Sequence, residues 1–342
     1  MSKITLAHGA GGKETAELLE DLIFSKVKDG LKRVKGGLGI DHPDDGALIP
    51  IENGKFLVVS TDSYTVSPIF FPGGDIGKLA VCGSINDVLV MGGFPIAMLD
   101  TIVVEEGFPI DMLRRIIDSM VETLASENVA LIGGDFKVMP RGYIDKIVIS
   151  TTGIGISERP IVDLNIQPGN RILVSGFLGE HGATIMALQH GLNTDVLKSD
   201  VKPLTGLFKP LMARFPNAIK ASGDPTRGGL SMLLNNWAKL SGNLIYVDES
   251  EIPLREPVRK YSEMLGVDPL HLASEGVAVL AVDGDVAEEV LEFMKSLGFN
   301  DAAIIGEVRR SEEFQGLVVI RSEIGGLRVL EPPTGEIVPR IC

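Results

Sequence analysis

Residues 75–104 read DIGKLAVCGSINDVLVMGGFPIAMLDTIVV and place two apolar segments next to each other. Over residues 75–91, apolar side chains occur on most faces of a helix, which predicts a buried helix. Residues 94–104 predict a strand. Helices and strands that follow each other in this way are typical of layered folds, so the stretch favours an α/β class built of α/β or α+β layers.

The same alternation continues on both sides of this stretch. Towards the N-terminus, apolar positions at three- and four-residue spacing predict a helix over residues 13–32, and Asn53-Gly54 predicts a hairpin between residues 47–51 and 55–61. Towards the C-terminus, the predicted helices are residues 110–126, 182–190, 204–214, 230–241 and 286–297. The predicted strands are residues 130–132, 144–156, 171–175, 244–247, 277–282, 303–308 and 317–321.

A chain of 342 residues favours two domains. Pro168-Gly169 predicts a turn within residues 163–169, and hence a domain boundary there. Gly and Pro dominate from Ser322 onward, which predicts a flexible tail. The expected parts are an N-terminal loop and helix (1–38), an N-terminal α/β domain (39–162), a C-terminal α/β domain (163–321) and a mobile tail (322–342).

The composition makes several classes of partner and location poor expectations. The net charge is −14 and no block of Lys or Arg occurs, so we expect neither nucleic acid nor an anionic membrane as partner. The start lacks the apolar core of a signal peptide, and no stretch approaches the roughly 20 apolar residues of a membrane helix. Two cysteines give no disulfide framework, so we expect a cytoplasmic protein.

The chain ends on a cysteine, in Pro339-Arg340-Ile341-Cys342, and its other cysteine is Cys82. A thiol on a short tail can enter a pocket, take up a group through sulfur and carry it to a partner. On that residue alone, a frayed end that happens to be Cys is an equally good interpretation. Cys82 lies in an apolar run and is predicted to be a small buried hydrophobe.

Several aspartates occur beside Gly or Pro or within predicted elements. They are Asp44, Asp45, Asp62, Asp87, Asp135 and Asp224. Turn chemistry is the more common explanation for any one of them. Asp87, however, lies in an apolar helix, where a buried carboxylate must be paired or coordinated. Together they predict a cage for Mg²⁺, which prefers oxygen ligands and would let an acidic protein bind ATP.

Other candidates lie in glycine-rich loops and before a strand. The segment His8-Gly9-Ala10-Gly11-Gly12-Lys13 lets main-chain N–H groups approach phosphates, although it is not a Walker A loop. Arg227 precedes a predicted helix and could bind a phosphate. Glu275 enters an apolar strand, either as a satisfied structural group or as a base with a raised pKa. Lys137 could face the same site as Asp135, or could simply be solvated.

In chain order the motifs are His8-Gly-Ala-Gly-Gly-Lys13, Asp44-Asp45-Gly-Ala47, Gly74-Asp-Ile-Gly-Lys-Leu-Ala80, Asn86-Asp87, Gly133-Gly-Asp135, Asp224-Pro-Thr-Arg-Gly-Gly229 and Pro339-Arg-Ile-Cys342. With them the chain resembles, over essentially its whole length, the HypE family of carbamoyl dehydratases of nickel–iron hydrogenase maturation. That family belongs to the ATP-binding superfamily of aminoimidazole ribonucleotide synthetase, selenophosphate synthetase and thiamine monophosphate kinase. The internal motifs are typical of the superfamily, and the terminal Pro-Arg-Ile-Cys singles out the family.

The resemblance implies a two-domain fold like that of aminoimidazole ribonucleotide synthetase, a homodimer formed through the first domain's sheet, and ATP in the cleft between domains. It implies that a HypF-type carbamoyltransferase loads a carbamoyl group onto Cys342, which ATP-dependent dehydration converts to a thiocyanate. The cyano group would then pass to iron held by a HypC–HypD complex. We therefore expect the tail to be either docked in the cleft or free.

The resemblance also implies roles for single residues. The nucleotide-binding candidates are Gly11, Gly12, Lys13, Asp45, Asp62, Asn86, Asp87, Asp135, Asp224 and Arg227. The metal candidates are Asp44, Asp45, Asp62, Asp87, Asp135 and Asp224, not all of them as ligands. Glu275 is expected to be the base, Lys137 the group that orients the carbamoyl oxygen, and Cys342 the carrier.

Two other functions remain open at this point. A kinase or synthetase of the superfamily would act on a free small molecule and would not need the last four residues. A non-catalytic carrier would only present the thiol to partners and would not hydrolyse ATP.

Overall fold

The computed structural model describes residues 3–335, 338 and 340–342; Pro339 of the terminal motif lies outside them. Helices and strands alternate around two main sheets, which confirms the predicted α/β class. Within the described ranges, no helix is both long and apolar enough to cross a bilayer.

The N-terminal half is built on a five-stranded sheet in the order β1-β2-β7-β5-β6, beside a short separate pair, β3 and β4. The strands are β1 (Ala47–Pro50), β2 (Phe56–Tyr64), β3 (Phe70–Phe71), β4 (Gly74–Asp75), β5 (Phe94–Glu105), β6 (Ala130–Met139) and β7 (Ile147–Ser157). The helices are α1 (Lys13–Leu19), α2 (Ile76–Val90) and α3 (Ile110–Glu127). α2 packs on β2, β5 and β7, and α3 packs on α2 and β6. β6 therefore forms one edge of the sheet.

α2 is buried along its whole length except at Lys78. It begins after Asp75, whose carboxylate accepts two main-chain N–H groups of the first turn at 2.8 and 3.1 Å. The helix touches β2 so closely that a Cβ on Gly83 would lie 2.0 Å from the hydroxyl oxygen of Tyr64. Helix and sheet thus form one rigid layer pair.

The C-terminal half is built on a seven-stranded sheet in the order β14-β13-β10-β12-β8-β11-β9. The strands are β8 (Arg171–Val174), β9 (Ile219–Gly223), β10 (Leu244–Asp248), β11 (Val279–Val282), β12 (Ala303–Arg309), β13 (Val318–Arg321) and β14 (Leu327–Val329). The helices are α4 (Glu180–Gln189), α5 (Thr205–Arg214), α6 (Gly229–Ser241), α7 (Glu256–Leu265) and α8 (Ala287–Ser296).

The two halves share a core, because the largest cluster of buried apolar side chains includes residues of both α2 and α5. Asn86 joins the halves by hydrogen bonds. Its amide oxygen accepts the N–H of Leu204 at 2.9 Å, and its amide nitrogen donates to the main-chain oxygens of Lys202 at 3.1 Å and Glu275 at 3.3 Å. The neighbouring Asp87 is thereby placed against the second sheet.

Most of the predicted elements are confirmed, among them the hairpin, α2, β5 and α3. The helix predicted over residues 13–32 is too long: α1 ends at Leu19, and a π-helical turn ends at Phe24. None of the residues in these two elements is buried, so no core contact sustains a longer helix. β9, α7 and β14 have no counterpart among the predicted elements, and β14 gives the expected irregular tail a short strand.

Candidate active site

Three aspartates from separate elements meet where the two halves adjoin. Asp45 precedes β1, Asp87 lies in α2 and Asp224 follows β9. One carboxylate oxygen of each lies within 4.8 Å of the corresponding oxygens of the other two. Three carboxylates this close repel one another strongly unless protons or a cation neutralise them.

The surroundings make ionisation of these three groups costly. Burial, followed by repulsion from neighbouring aspartates, raises the pKa of Asp45 and of Asp87 well above the ordinary range. The same causes raise the pKa of Asp224 to about 7. A divalent cation between the carboxylates would replace this repulsion by attraction.

The positions of the oxygen atoms fit Mg²⁺. Oδ2 of Asp224 is buried and has no hydrogen-bond partner among the described residues. Ser60 in β2 donates its hydroxyl to Oδ2 of Asp87 at 2.5 Å, which orients that carboxylate. Carboxylate oxygens are the ligands that Mg²⁺ takes, so Asp45, Asp87 and Asp224 would hold it.

Asp44 lies beside Asp45 and binds main-chain N–H groups next to the cluster. Its Oδ1 accepts the N–H of Asp45 at 2.9 Å, and its Oδ2 accepts the N–H of Asp163 at 3.1 Å. Burial raises its pKa to about 6. Because both oxygens bind the main chain, Asp44 fixes the loop that carries Asp45, and its role as a metal ligand stays a prediction.

Asp62 and Arg227 face each other beside the cluster. Oδ1 of Asp62, in β2, lies 3.9 Å from Nη2 of Arg227, which lies between β9 and α6. Burial raises the pKa of Asp62, and the Arg227 guanidinium opposes that shift. A guanidinium next to a metal-binding cluster is well placed to bind a phosphate.

The N-terminal glycine loop packs over Arg227 and the tail. Gly11 has a φ of +79°, and a Cβ there would lie 2.7 Å from the Cβ of Arg227. A Cβ on Gly12 would lie 2.9 Å from the main-chain oxygen of Pro333. The ammonium of Lys13 lies 3.8 Å from Glu17, on an exposed side chain. Close packing alone thus explains these glycines, and Lys13 faces solvent.

Asn86, expected to bind the nucleotide, is fully buried. Both polar atoms of its amide bind the main chain of the second half, as described above. The structure therefore gives it a role in joining the two halves.

Glu275 is 1% exposed, and its Oε1 has no hydrogen-bond partner in the described part of the chain. Burial raises its pKa well above the ordinary range; repulsion by Asp224 and Asp200 adds to the shift, and Arg227 opposes it. A buried carboxyl group with a raised pKa and an unpaired oxygen suits a general base. Asp200, whose Oδ1 accepts the N–H of Glu275 at 3.2 Å, fixes its main chain.

The end of the tail is docked next to these groups, in one of the two conformations expected for it. The main-chain oxygen of Cys342 accepts hydrogen bonds from Thr65, from the N–H at 2.9 Å and from Oγ1 at 3.1 Å. Burial raises the pKa of the Cys342 thiol, the Arg227 guanidinium opposes the shift, and Glu275 adds to it. The terminal sulfur thus lies in the field of both the candidate base and the arginine.

Asp135 and Lys137 are not brought to this site within one chain. Both lie in β6, which β5 and β7 separate from β2. Their side chains form an ion pair of 3.1 Å and are 54% and 63% exposed. They pair with Thr101 and Val103, which alternate with the buried Ile102, so they lie on the sheet face away from α2. Within one chain, Asp135 therefore lies apart from the cluster of Asp45, Asp87 and Asp224.

Sequence analysis missed three residues at the site, namely Tyr64, Asp200 and His181. Tyr64 follows Asp62 by two residues in β2 and therefore shares its face, so strand alternation could have identified it. Asp200 lies outside the regular elements, and His181 lies in the first turn of α4. Neither belongs to a recognisable motif, because only the tertiary fold brings them near Glu275 and the tail.

Known proteins match this chain along nearly its full length. Two family models match, AIR synthase related protein, N-terminal domain, at residues 43–157, and AIR synthase related protein, C-terminal domain, at residues 167–319. Carbamoyl dehydratase HypE of Azotobacter vinelandii is 39% identical over 344 residues, which cover 99% of this chain and 97% of the relative.

Solved structures agree with these matches. A chain in the crystal structure of a HypE-HypF complex has a TM-score of 0.83 and 39% identity, covering 92% of this chain and 99% of its own length. The crystal structure of hydrogenase maturation protein HypE in complex with ATP has a TM-score of 0.80 and 36% identity, covering 99% of this chain and 100% of its own.

Proposed function

The chain belongs to the HypE carbamoyl dehydratases, within the AIR synthase related family, and on that premise we propose that it dehydrates an S-carbamoyl group on its own Cys342 to a thiocyanate, using ATP. This reaction would supply the cyanide ligand of iron during nickel–iron hydrogenase maturation. The observation that carries the proposal is the docking of Cys342 beside Glu275 and Arg227. A tail that only presented a thiol would gain nothing from burial there.

Dehydration removes one oxygen and two nitrogen-bound protons from S–C(=O)–NH₂ and leaves S–C≡N. The amide oxygen is a poor leaving group, and bound Mg²⁺-ATP supplies the phosphoryl group that turns it into a good one. Asp45, Asp87 and Asp224 hold the metal and triphosphate in this scheme. Arg227 binds phosphate oxygens next to the docked thiol.

Glu275 accepts the nitrogen protons in this scheme. Its pKa is raised by burial and by repulsion from Asp224 among others. A cation bound at Asp224 would screen that repulsion and so oppose part of the rise in the pKa of Glu275, which would favour its action as a base. Metal binding and activation of the base are thereby coupled.

The mass of the intact protein tests this reaction. After a carbamoyltransferase has loaded Cys342, addition of Mg²⁺-ATP should remove one water from the C-terminal peptide. Glu275→Gln should stay at the carbamoyl mass, and the matched surface variant Glu263→Gln, exposed on α7, should react like the wild type. Turnover of ATP that persists after Cys342→Ala would contradict the proposal.

Deletion of residues 339–342 separates the alternatives. A kinase or synthetase that acts on a free substrate would keep its activity without these residues. A mere thiol carrier would show no ATP hydrolysis that depends on Glu275. The position of the terminal sulfur, half-buried beside a candidate base, favours the dehydratase over both.

We also propose that the protein is a homodimer and that Lys137 acts in the partner's site. β6 is an edge strand whose apolar side chains are exposed; they are Leu131, Ile132, Phe136 and Val138. An uncovered apolar edge strand of this length would favour pairing with another chain. Asp135 and Lys137 lie away from the aspartate cluster of their own chain, so they could line such a cluster in a second copy of the chain.

Mixed dimers test this arrangement. Lys137→Ala and Glu275→Gln should each be inactive alone. Co-expressed at equal amounts, they should recover about one quarter of wild-type activity, because half of the dimers would contain one intact site. A mixture as inactive as its parents would place both residues in the same chain's site, and an active Lys137→Ala alone would place Lys137 in neither site.

The docked tail also has consequences for partners. A HypF-type carbamoyltransferase must reach the Cys342 sulfur to load it, and a HypC–HypD complex must reach it to accept the cyano group. Both steps need the tail outside the cleft, so docking and release would alternate in each cycle. The free terminal thiol fits a reducing cytoplasm as the place where this occurs.

A further inference from the structure

The last three residues form main-chain hydrogen bonds with the segment that follows β2; they are not in strand conformation, because Arg340 has a φ of +51°. The N–H of Ser67 donates to the main-chain oxygen of Arg340 at 3.0 Å, and the N–H of Thr65 donates to that of Cys342 at 2.9 Å. Arg340 returns a bond, because its Nε donates to the main-chain oxygen of Thr65 at 2.7 Å. The two accepting carbonyls are two residues apart and face the same neighbour.

The carbonyl between them faces the other way. It belongs to Ile341, and its oxygen lies 2.8 Å from Nε2 of His181. Thr65 and Ser67 belong to the N-terminal half, whereas His181 lies in α4 of the C-terminal half. The end of the tail is therefore held from both sides of the cleft.

The hydrogen bonds around His181 determine its tautomer. Oγ of Ser199 accepts the N–H of Val201 at 3.2 Å, which leaves its own proton for Nδ1 of His181 at 2.7 Å. With Nδ1 as acceptor, the ring proton is on Nε2 and is donated to the oxygen of Ile341. This is the one neutral tautomer that satisfies both ring contacts.

The surroundings keep the ring neutral and in place. His181 is fully buried, and its ring meets that of Phe71 edge-on, with centroids 5.3 Å apart and planes at 82°. Burial lowers its pKa to about 4, against a smaller opposing effect of the bond to Ile341. The ring is thus neutral, and because the Ile341 oxygen can only accept, its proton is on Nε2 while the tail is docked.

We propose that His181 is a positioning residue that clamps the terminal tripeptide in the cleft, and so holds the Cys342 thiol between Glu275 and Arg227. The inference rests on the proposed dehydration, which gives the docking of the tail its purpose. The contacts of His181 themselves concern only the docking. Without His181, residues 340–342 would keep their hydrogen bonds to Thr65 and Ser67 of the N-terminal half but would lose the one from α4 to Ile341.

Alkylation of the two cysteines by iodoacetamide, followed by peptide mass analysis, tests the clamp on the full-length, uncarbamoylated protein. Cys342 reports docking. Cys82, which is fully buried in α2, reports the integrity of the fold. Rates are divided by those of the urea-unfolded protein, which removes differences in intrinsic thiol reactivity. The matched control is His190→Gln, an exposed position at the end of the same helix.

His181→Ala should speed alkylation of Cys342 by roughly 5- to 30-fold, the effect of losing one buried hydrogen bond, while Cys82 stays protected. His181→Gln should restore most of the protection, because its amide can donate to Ile341. An unchanged rate at Cys342 in His181→Ala, with Cys82 protected, overturns the proposal. If His181→Ala exposes Cys82, two other variants test the clamp instead. Protection of Cys342 from alkylation must then survive in His181→Gln and decrease in Ser199→Ala.

The outcome is independent of the proposed function. Faster alkylation in His181→Ala supports the clamp even if the wild type shows no carbamoyl-dependent ATP turnover, which would refute the dehydratase alone. Unchanged alkylation together with normal wild-type turnover would refute the clamp alone. If the clamp and the dehydratase are both correct, His181→Ala should lower ATP turnover. His181→Gln should recover turnover in the same proportion as it recovers the protection of Cys342.

Discussion

Replacing Asp224 by Asn should stabilise the metal-free protein, and more so at alkaline than at acidic pH. Burial and neighbouring carboxylates raise the folded-state pKa of Asp224 from 3.8 to about 7. The folded protein therefore holds this proton more tightly than the unfolded chain. The resulting stability is fully present below the unfolded pKa and is lost as the pH rises through the folded pKa.

The size of the effect follows from the same shift. Between about pH 5 and about pH 8, the free energy of unfolding of the wild type should fall by about 2 to 3 kcal/mol relative to that of Asp224→Asn, whose amide does not titrate. Each pKa unit corresponds to about 1.4 kcal/mol. In a thermal scan of a chain of this length this corresponds to roughly 3 to 4 °C. Since Asp224 is 6% exposed, screening by water reduces the effect little.

Urea and thermal unfolding in EDTA at the two pH values measure this difference. The matched control is Asp301→Asn, at an exposed position. In a second arm, Mg²⁺ with a nonhydrolysable ATP analogue should stabilise the wild type at alkaline pH much more than Asp224→Asn, which lacks one ligand.

Two results would refute this reasoning. An equal effect of Asp224→Asn at both pH values would mean that Asp224 ionises normally in the fold. Strong stabilisation of Asp224→Asn by Mg²⁺ and nucleotide, equal to that of the wild type, would mean that the metal lies elsewhere.

Three further variants follow from contacts around α2. Gly83→Ala should destabilise the fold by about 1 to 3 kcal/mol in urea unfolding, because the new Cβ meets the Tyr64 hydroxyl, and adding Tyr64→Phe should recover part of the loss. Ser60→Ala, which removes the donor to Asp87, should weaken Mg²⁺-nucleotide binding several-fold in calorimetry while the melting temperature changes little. Asn86→Ala should cost about 2 to 4 kcal/mol by leaving main-chain groups of the second half unpaired, and unfolding should split into two transitions; a single unshifted transition would contradict its joining role.

Most of the fold could be predicted from local patterns. Asn53-Gly54 identifies the hairpin, and the apolar faces of α2 predict its burial, because these signals lie within a few residues of the structure they determine. Residues 13–32 have helical spacing, yet the helix shortens, and none of the residues of α1 or of the π-helical turn is buried. Gly133-Gly134-Asp135 has the composition of a turn, yet its pairing with β5 makes it part of a strand. Tertiary contacts decided both cases.

The sequence predicts the chemistry of the candidate site but not which residues form it. The types of residue, carboxylates with one arginine and a terminal thiol, follow from the motifs. Which carboxylates converge depends on how α2 and β9 pack, and this packing separates Asp45, Asp87 and Asp224 from Asp44 and Asp135. His181 and Asp200 carry no signal of their own, because each acts through the main chain of another segment.

The way the tail end is bonded makes the length of the polypeptide part of the active site. Its carbonyls are recognised at alternating positions, counted back from the last residue. One residue inserted between Ile341 and Cys342 would move the sulfur by up to roughly 3.3 Å while Arg340 and Ile341 kept their hydrogen bonds. Glu275 and Arg227 would stay in place, and the sulfur would no longer be held beside them.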